Sequence, residues 1–113
     1  HTLTIARQIQ AFSARHPKIR VVPAYLPADL YSAQERQSDS PLSRYVEQVD
    51  TPPWEDTRLR DATLVALTGL APLDLSPVLQ SRAEHFLSHD YHLSPSGHAA
   101  VAAAIEAHIQ GAI

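Results

Sequence analysis

"LTIARQIQAFSARHPKIRVVP", residues 3–23, decides the fold class. Ile5, Ile9 and Phe12 recur at i, i+4 and i+7, the spacing of an amphipathic helix with one buried stripe, and His16-Pro17 stops it. The chain then passes directly into "KIRVV", where Ile19, Val21 and Val22 form a β-branched run ended by Pro23. Such a run reads as a buried strand of a parallel sheet. A helix that feeds a strand of this kind is the mark of an α/β fold.

The alternation continues further along. "RLRDATLVALTGL" (58–70) has helical apolar spacing and a plausible C-cap at Gly69, and "APLDL" (71–75) reads as a short strand. "SPVLQSRAEHFL" (76–87) predicts a helix with Leu79, Ala83 and Phe86 on one side. The last helix starts at "SPSGH" (94–98) and runs to about Ile109, with Val101, Ile105 and Ile109 at four-residue steps. Its many alanines suit a helix lying flat on a sheet. Ser-Pro occurs at 40–41, 76–77 and 94–95, each time ahead of a helical pattern. Serine at N-cap accepts from a free amide, and proline at N1 gives up an amide that had no partner. These serines therefore read as caps rather than nucleophiles.

Residues 33–58 form a polar loop or insertion, long enough to act as a lid or binding loop. Within it, "PLSRYVEQV" predicts a short helix burying Tyr45, Val46 and Val49. Trp54, between two prolines and two acids, is either a cover over the core or a substrate-facing ring.

Composition narrows the function classes. The chain has 113 residues, 9 Lys+Arg against 12 Asp+Glu and a formal charge of -3, so it lacks the basic field that draws in phosphate backbones. No nucleic-acid partner is expected. No apolar run approaches the roughly 20 residues of a membrane-spanning helix, so no membrane span is expected. The absence of cysteine excludes disulfides, thiol nucleophiles and thiolate zinc sites. Glycine occurs only at 69, 97 and 111, too sparsely for a Gly-rich phosphate loop.

The chemistry concentrates in "SHDYHLSPSGHAAVAAAIEAHI", residues 88–109. In an extended backbone, residues i and i+2 project to the same side, so Asp90 can reach one imidazole nitrogen of His92 and leave the other facing outward. That is the orienter-plus-base half of a Ser-His-Asp triad. His85 and His89 would fall i, i+4 on a helix face, a zinc-compatible spacing. No motif fixes a ligand count there, and histidines at a helix end also serve its last carbonyls. Neither a metal nor a cofactor is expected. His98 reads as a packed or capping residue, Asp74 as structural at a strand end, and Asp61 and Glu84 as solvated helix charges.

"DYHLSPSGHAAVAAAI" (90–105), preceded by "LVALTGLAPLDLSPVLQSRAEHFL" (64–87), resembles the C-terminal block of the SGNH (GDSL-like) hydrolase and acyltransferase superfamily. The resemblance implies that residues 1–113 are the C-terminal portion of a three-layer α/β/α, flavodoxin-like fold with a mostly parallel sheet. "KIRVVPAYLP" and "APLDL" would then be two of its strands, and 88–111 the Asp-x-His loop and final helix. Asp90 and His92 match the family's acid and base, and Leu93, Ser94 and Gly97 the residues that close the loop into the helix. Many members space the pair as Asp-x-x-His. The Asp-x-His spacing here looks like the alginate-acetylation and related branches.

The family's nucleophilic serine lies in an N-terminal Gly-Asp-Ser block, and its oxyanion hole uses a glycine and an asparagine. This chain has no asparagine and no glycine before position 69. The N-terminal half of the domain is therefore expected as a missing or separate partner. The implied function is serine-dependent ester hydrolysis or acyl transfer on an ester or acylated-carbohydrate substrate. Polysaccharide O-acetylation is one alternative, and a non-catalytic carbohydrate-binding or assembly domain is another. The resemblance also points toward a periplasmic or extracellular setting.

Overall fold

The computed structural model of the chain describes residues 2–32, 40–41 and 50–111. Helix α1, Thr2–Arg15, forms where the periodicity places it and ends as the His16 amide turns back to the carbonyls of Phe12 (3.1 Å) and Ser13 (3.2 Å). Its apolar stripe is not buried. Ala6 is the buried residue of α1, whereas Ile5 is 54% and Phe12 41% exposed. The helix packs on α3 (Arg58–Ala66), with the Gln10 side-chain amide donating to the Ala66 carbonyl. Ile5 and Ile9 flank an open apolar cleft of about 500 Å³, bounded also by Pro23, Leu26, Leu59 and Leu64, instead of lying on a sheet.

The strand lies beyond Pro23, not before it. β1 is Ala24–Tyr25 and pairs in parallel with β2, Leu73–Asp74, in the register Ala24↔Leu73 and Tyr25↔Asp74. The Leu73 amide donates to the Pro23 carbonyl (2.9 Å), and the Leu75 amide to that of Tyr25 (3.0 Å). The Ile19 amide closes a turn onto the His16 carbonyl at 2.9 Å, so the β-branched run is spent on leaving the helix. Strand propensity says what suits a pleated surface; the position of the partner strand decides where the ladder forms.

After α3 the chain continues through a 3-10 turn, Thr68–Leu70, in which the Thr68 hydroxyl serves the carbonyls of Leu64 and Val65. The reversal therefore falls on Ala71, at φ 49° and ψ 63°, and not on Gly69. Helix α4, Ser76–Gln80, is capped differently from the expectation. Asp74 Oδ1 accepts the Ser76 amide at 2.9 Å, and Ser76 itself lies inside the helix. The continuous helix expected over 76–87 breaks. The Ser81 hydroxyl back-bonds to the Val78 carbonyl (2.7 Å), Arg82 turns extended (φ −150°, ψ 126°), and a 3-10 turn spans Ala83–His85.

The last helix, α5 (Pro95–Gly111), packs on α4 and on that 3-10 turn. A short helix, α2 (Asp29–Ser32), and a 3-10 turn at Pro53–Glu55 lie against each other after β1. The helix expected at 41–49, with Tyr45, Val46 and Val49, falls on residues 42–49, outside those described.

The described residues thus combine helices with a small two-stranded parallel sheet, an α/β arrangement on a minimal scale. Ala6, Leu67, Leu75, Leu79 and Phe86 are its buried apolar residues. The radius of gyration, 15.3 Å, exceeds the about 13 Å of a compact domain of this length. Among the described residues, no helix is long and apolar enough to cross a membrane.

Candidate functional site

Phe86 and Leu93 form an antiparallel bridge, and the segment between them folds back as a tight hairpin. The Leu87 amide donates to the His92 carbonyl (2.9 Å), the Ser94 amide to that of His85 (2.9 Å) and the Asp90 amide to that of Leu87 (3.3 Å). At the tip His89 takes a left-handed conformation, φ 55°. His85 and His89 therefore share no helix face, because no helix runs through them. Among the described residues no group of three His, Asp or Glu could hold a metal ion.

Asp90 and His92 are brought together, though not by strand alternation. Asp90 Oδ1 accepts the His92 backbone amide at 2.8 Å, an Asx turn, and the same oxygen meets His92 Nδ1 at 2.6 Å. An ionised carboxylate can only accept, so Nδ1 carries the proton and Nε2 is the basic nitrogen of the neutral ring. The hydrogen bond from the His92 amide, and then that from its ring, hold the Asp90 carboxyl below the usual carboxylate range. Both side chains reach solvent, 68% for His92 and 42% for Asp90. The Tyr91 ring stacks on the imidazole, with centroids 4.7 Å apart and planes at 28°.

The hairpin is anchored to the start of α5. Ser94 is the N-cap its sequence position suggests: its Oγ accepts the Gly97 amide (3.2 Å) and donates to the Glu84 carbonyl (2.5 Å). Ser96 Oγ reaches the same carbonyl (3.2 Å), Ser94 Oγ (3.0 Å) and His85 Nδ1 (3.1 Å). A Cβ on Gly97 would lie 2.0 Å from the His85 carbonyl oxygen, so only glycine permits this approach. Sequence reasoning missed the buried His85 and the exposed Ser96 as the other half of the anchor. The "SPSGH" cap marked the helix end of the anchor but not what it would be tied to.

These contacts commit the hydroxyls of Ser94 and Ser96. Among the described residues no hydroxyl is hydrogen-bonded to the His92 ring. Trp54 is half-buried in its 3-10 turn and lines a narrow crevice with Tyr25, Tyr31, Arg60 and Gln80, which neither Asp90 nor His92 lines. His98, expected to pack or cap, is exposed on α5, its amide bonded to the Ser94 carbonyl at 2.9 Å. Asp61 and Glu84 are solvated and paired with Arg60 and Arg82, each at 3.1 Å. Asp74 is structural, holding the Ser76 amide. Asp29, which the sequence reading passed over, is fully buried at the start of α2.

An imidazole with one nitrogen fixed by a carboxylate and the other at the surface can take and return a proton at a defined position. In comparisons with protein-family models, with curated proteins and with solved structures, the chain found no match.

Proposed function

We propose that this chain carries the acid–base half of a serine-dependent esterase or acyltransferase of SGNH type, acting on an ester or an acylated carbohydrate. His92 is the general base and Asp90 its orienter. A serine from outside the described residues attacks the ester carbonyl and gives its hydroxyl proton to His92 Nε2. Asp90 stabilises the imidazolium through Nδ1–H. His92 then passes the proton to the leaving alkoxide, leaving an acyl-serine. Water, or an acceptor hydroxyl, loses a proton to His92 as it attacks that intermediate, and His92 returns the proton to the serine oxygen as the acyl–oxygen bond breaks. Which of the two arrives separates hydrolysis from transfer.

The observation that carries this reading is the 2.6 Å contact between Asp90 Oδ1 and His92 Nδ1, made on a hairpin anchored to α5 with the ring exposed. The parallel pair β1–β2, and a cleft beside it that is open and apolar among the described residues, are what a three-layer α/β/α domain would show without its N-terminal strands. Those strands would also bring the nucleophile and the oxyanion donors. The test is fluorophosphonate labelling of the protein together with that N-terminal half. One serine is labelled, and hydrolysis of p-nitrophenyl acetate disappears in His92→Ala. An unlabelled, inactive protein refutes the reading in favour of a non-catalytic binding domain, and activity that survives His92→Ala refutes the role given to His92.

A further inference from the structure

We propose that Tyr91 is a positioning residue for His92, its ring face restraining a motion of the imidazole that the Asp90 hydrogen bond leaves free. The proposal rests on the role given to His92 above. Asp90 Oδ1 holds the His92 amide (2.8 Å) and Nδ1 (2.6 Å), both on the same side of the residue. Nδ1 is bonded to Cγ, the atom that joins the ring to the chain. A constraint at Nδ1 alone still lets the ring plane swing by compensating rotations about Cα–Cβ and Cβ–Cγ, and Nε2 moves with it. The ring is too exposed for packing to stop that swing. A displacement of Nε2 by about 1 Å is of the size that costs about a hundredfold in rate.

Tyr91 blocks the swing toward its own side. Its ring centroid is 4.7 Å from that of His92, with 28° between the planes. Neighbouring side chains in an extended strand point to opposite faces, so this stack is not a default of adjacency. It follows from the Asx turn that reverses the backbone at Asp90. An aromatic face also attracts the imidazolium more than the neutral ring, so the contact strengthens as His92 takes up the proton. Tyr91 is 54% exposed, so its ring is available for replacement without opening the core. The stack uses the ring and not the hydroxyl, which makes Tyr91→Phe the conservative variant.

Two measurements test the proposal. In proton NMR of this chain, the His92 ring protons lie upfield in the wild type and in Tyr91→Phe, and return to free-histidine positions in Tyr91→Ala, with the other amide signals unmoved. In the presence of the serine-bearing segment that the esterase reading requires, Tyr91→Ala lowers kcat for p-nitrophenyl acetate about tenfold at unchanged KM, while Tyr91→Phe keeps the wild-type rate. An active wild type with an equally active Tyr91→Ala, or His92 ring signals indifferent to Tyr91, overturns the positioning role and leaves the esterase reading standing. An inactive, unlabelled wild type overturns the esterase reading, and the positioning role with it.

Discussion

One oxygen of Asp90 serves His92 twice, accepting its backbone amide at 2.8 Å and its Nδ1 at 2.6 Å. The first bond bends the chain and the second aims the ring, so the turn and the orientation of the imidazole share one atom. Asp90→Asn keeps an oxygen for the turn but loses the charge that favours Nδ1–H and the imidazolium. On the esterase reading proposed above, kcat for p-nitrophenyl acetate in the presence of the serine-bearing segment should fall by about 10²–10⁴ at nearly constant KM, with the circular dichroism spectrum unchanged. A loss of less than tenfold would show that the carboxylate does not set the state of the ring.

The same bonds fix the sign of a pH effect. The folded chain favours ionised Asp90, so the contribution of this turn to stability is complete above the ordinary carboxylate value of 3.8 and is lost as pH falls below it. Asp56 is a second such group. The Arg58 guanidinium and amide bring it from 3.8 to about 2, so its contribution fades over that interval. Carbon-detected NMR titration of the two carboxyls should place both midpoints below 3.8. A midpoint at or above that value would contradict the pairing concerned.

Gly97→Ala would place a methyl carbon 2.0 Å from the His85 carbonyl oxygen. Backbone cannot yield as a side-chain tip can, so either α5 or the hairpin must shift. The expected loss of stability is about 1–3 kcal/mol, read by chemical denaturation, with the amide signals of His85 and His92 displaced.

Ser94→Ala removes both the acceptor for the Gly97 amide and the donor to the Glu84 carbonyl. A lost N-cap costs about 1 kcal/mol, and with the second bond the total should reach about 1–2 kcal/mol in the same denaturation measurement. A neutral result would mean that Ser96 can hold Glu84 alone.

Ala71 makes the left-handed turn into β2 at φ 49°, a conformation that disfavours any residue with a Cβ. Ala71→Gly should raise the denaturation midpoint by an amount equivalent to about 0.5–1 kcal/mol. The relief of strain is partly offset by the greater freedom of glycine in the unfolded chain.

How legible these features were depended on how local their causes are. α1 and α5 could be read because helical periodicity belongs to the segment itself, and the Ser94 cap because its geometry closes within one turn. β1 was displaced from Ile19–Val22 to Ala24–Tyr25 because its register belongs to β2, a partner far along the chain. The helix expected over 76–87 broke at Ser81 and Arg82, where a side chain competed for a carbonyl that the spacing of Leu79, Ala83 and Phe86 does not reveal. Asp90 and His92 could be paired from the sequence because two residues are never far apart. The reason given was alternation, however, and the operating cause is a side-chain-closed turn. The resemblance singled out Gly97, but the reason for a glycine there could not be read, since the His85 carbonyl that forbids a side chain comes from another element.

α5 is held at both ends. Its first turn is clamped to Glu84 and His85, and near its last turn His108 Nε2 donates to the Ala71 carbonyl at 2.8 Å. A helix of 17 residues spans about 25 Å, so the hairpin bearing His92 and the crossover entering β2 are two loads on one rod. Neither end can open widely without loosening the other. Amide exchange at the two ends should therefore proceed as one cooperative unit, and a His108→Ala substitution should speed exchange at Leu87 and Ser94 as well as at Ala71.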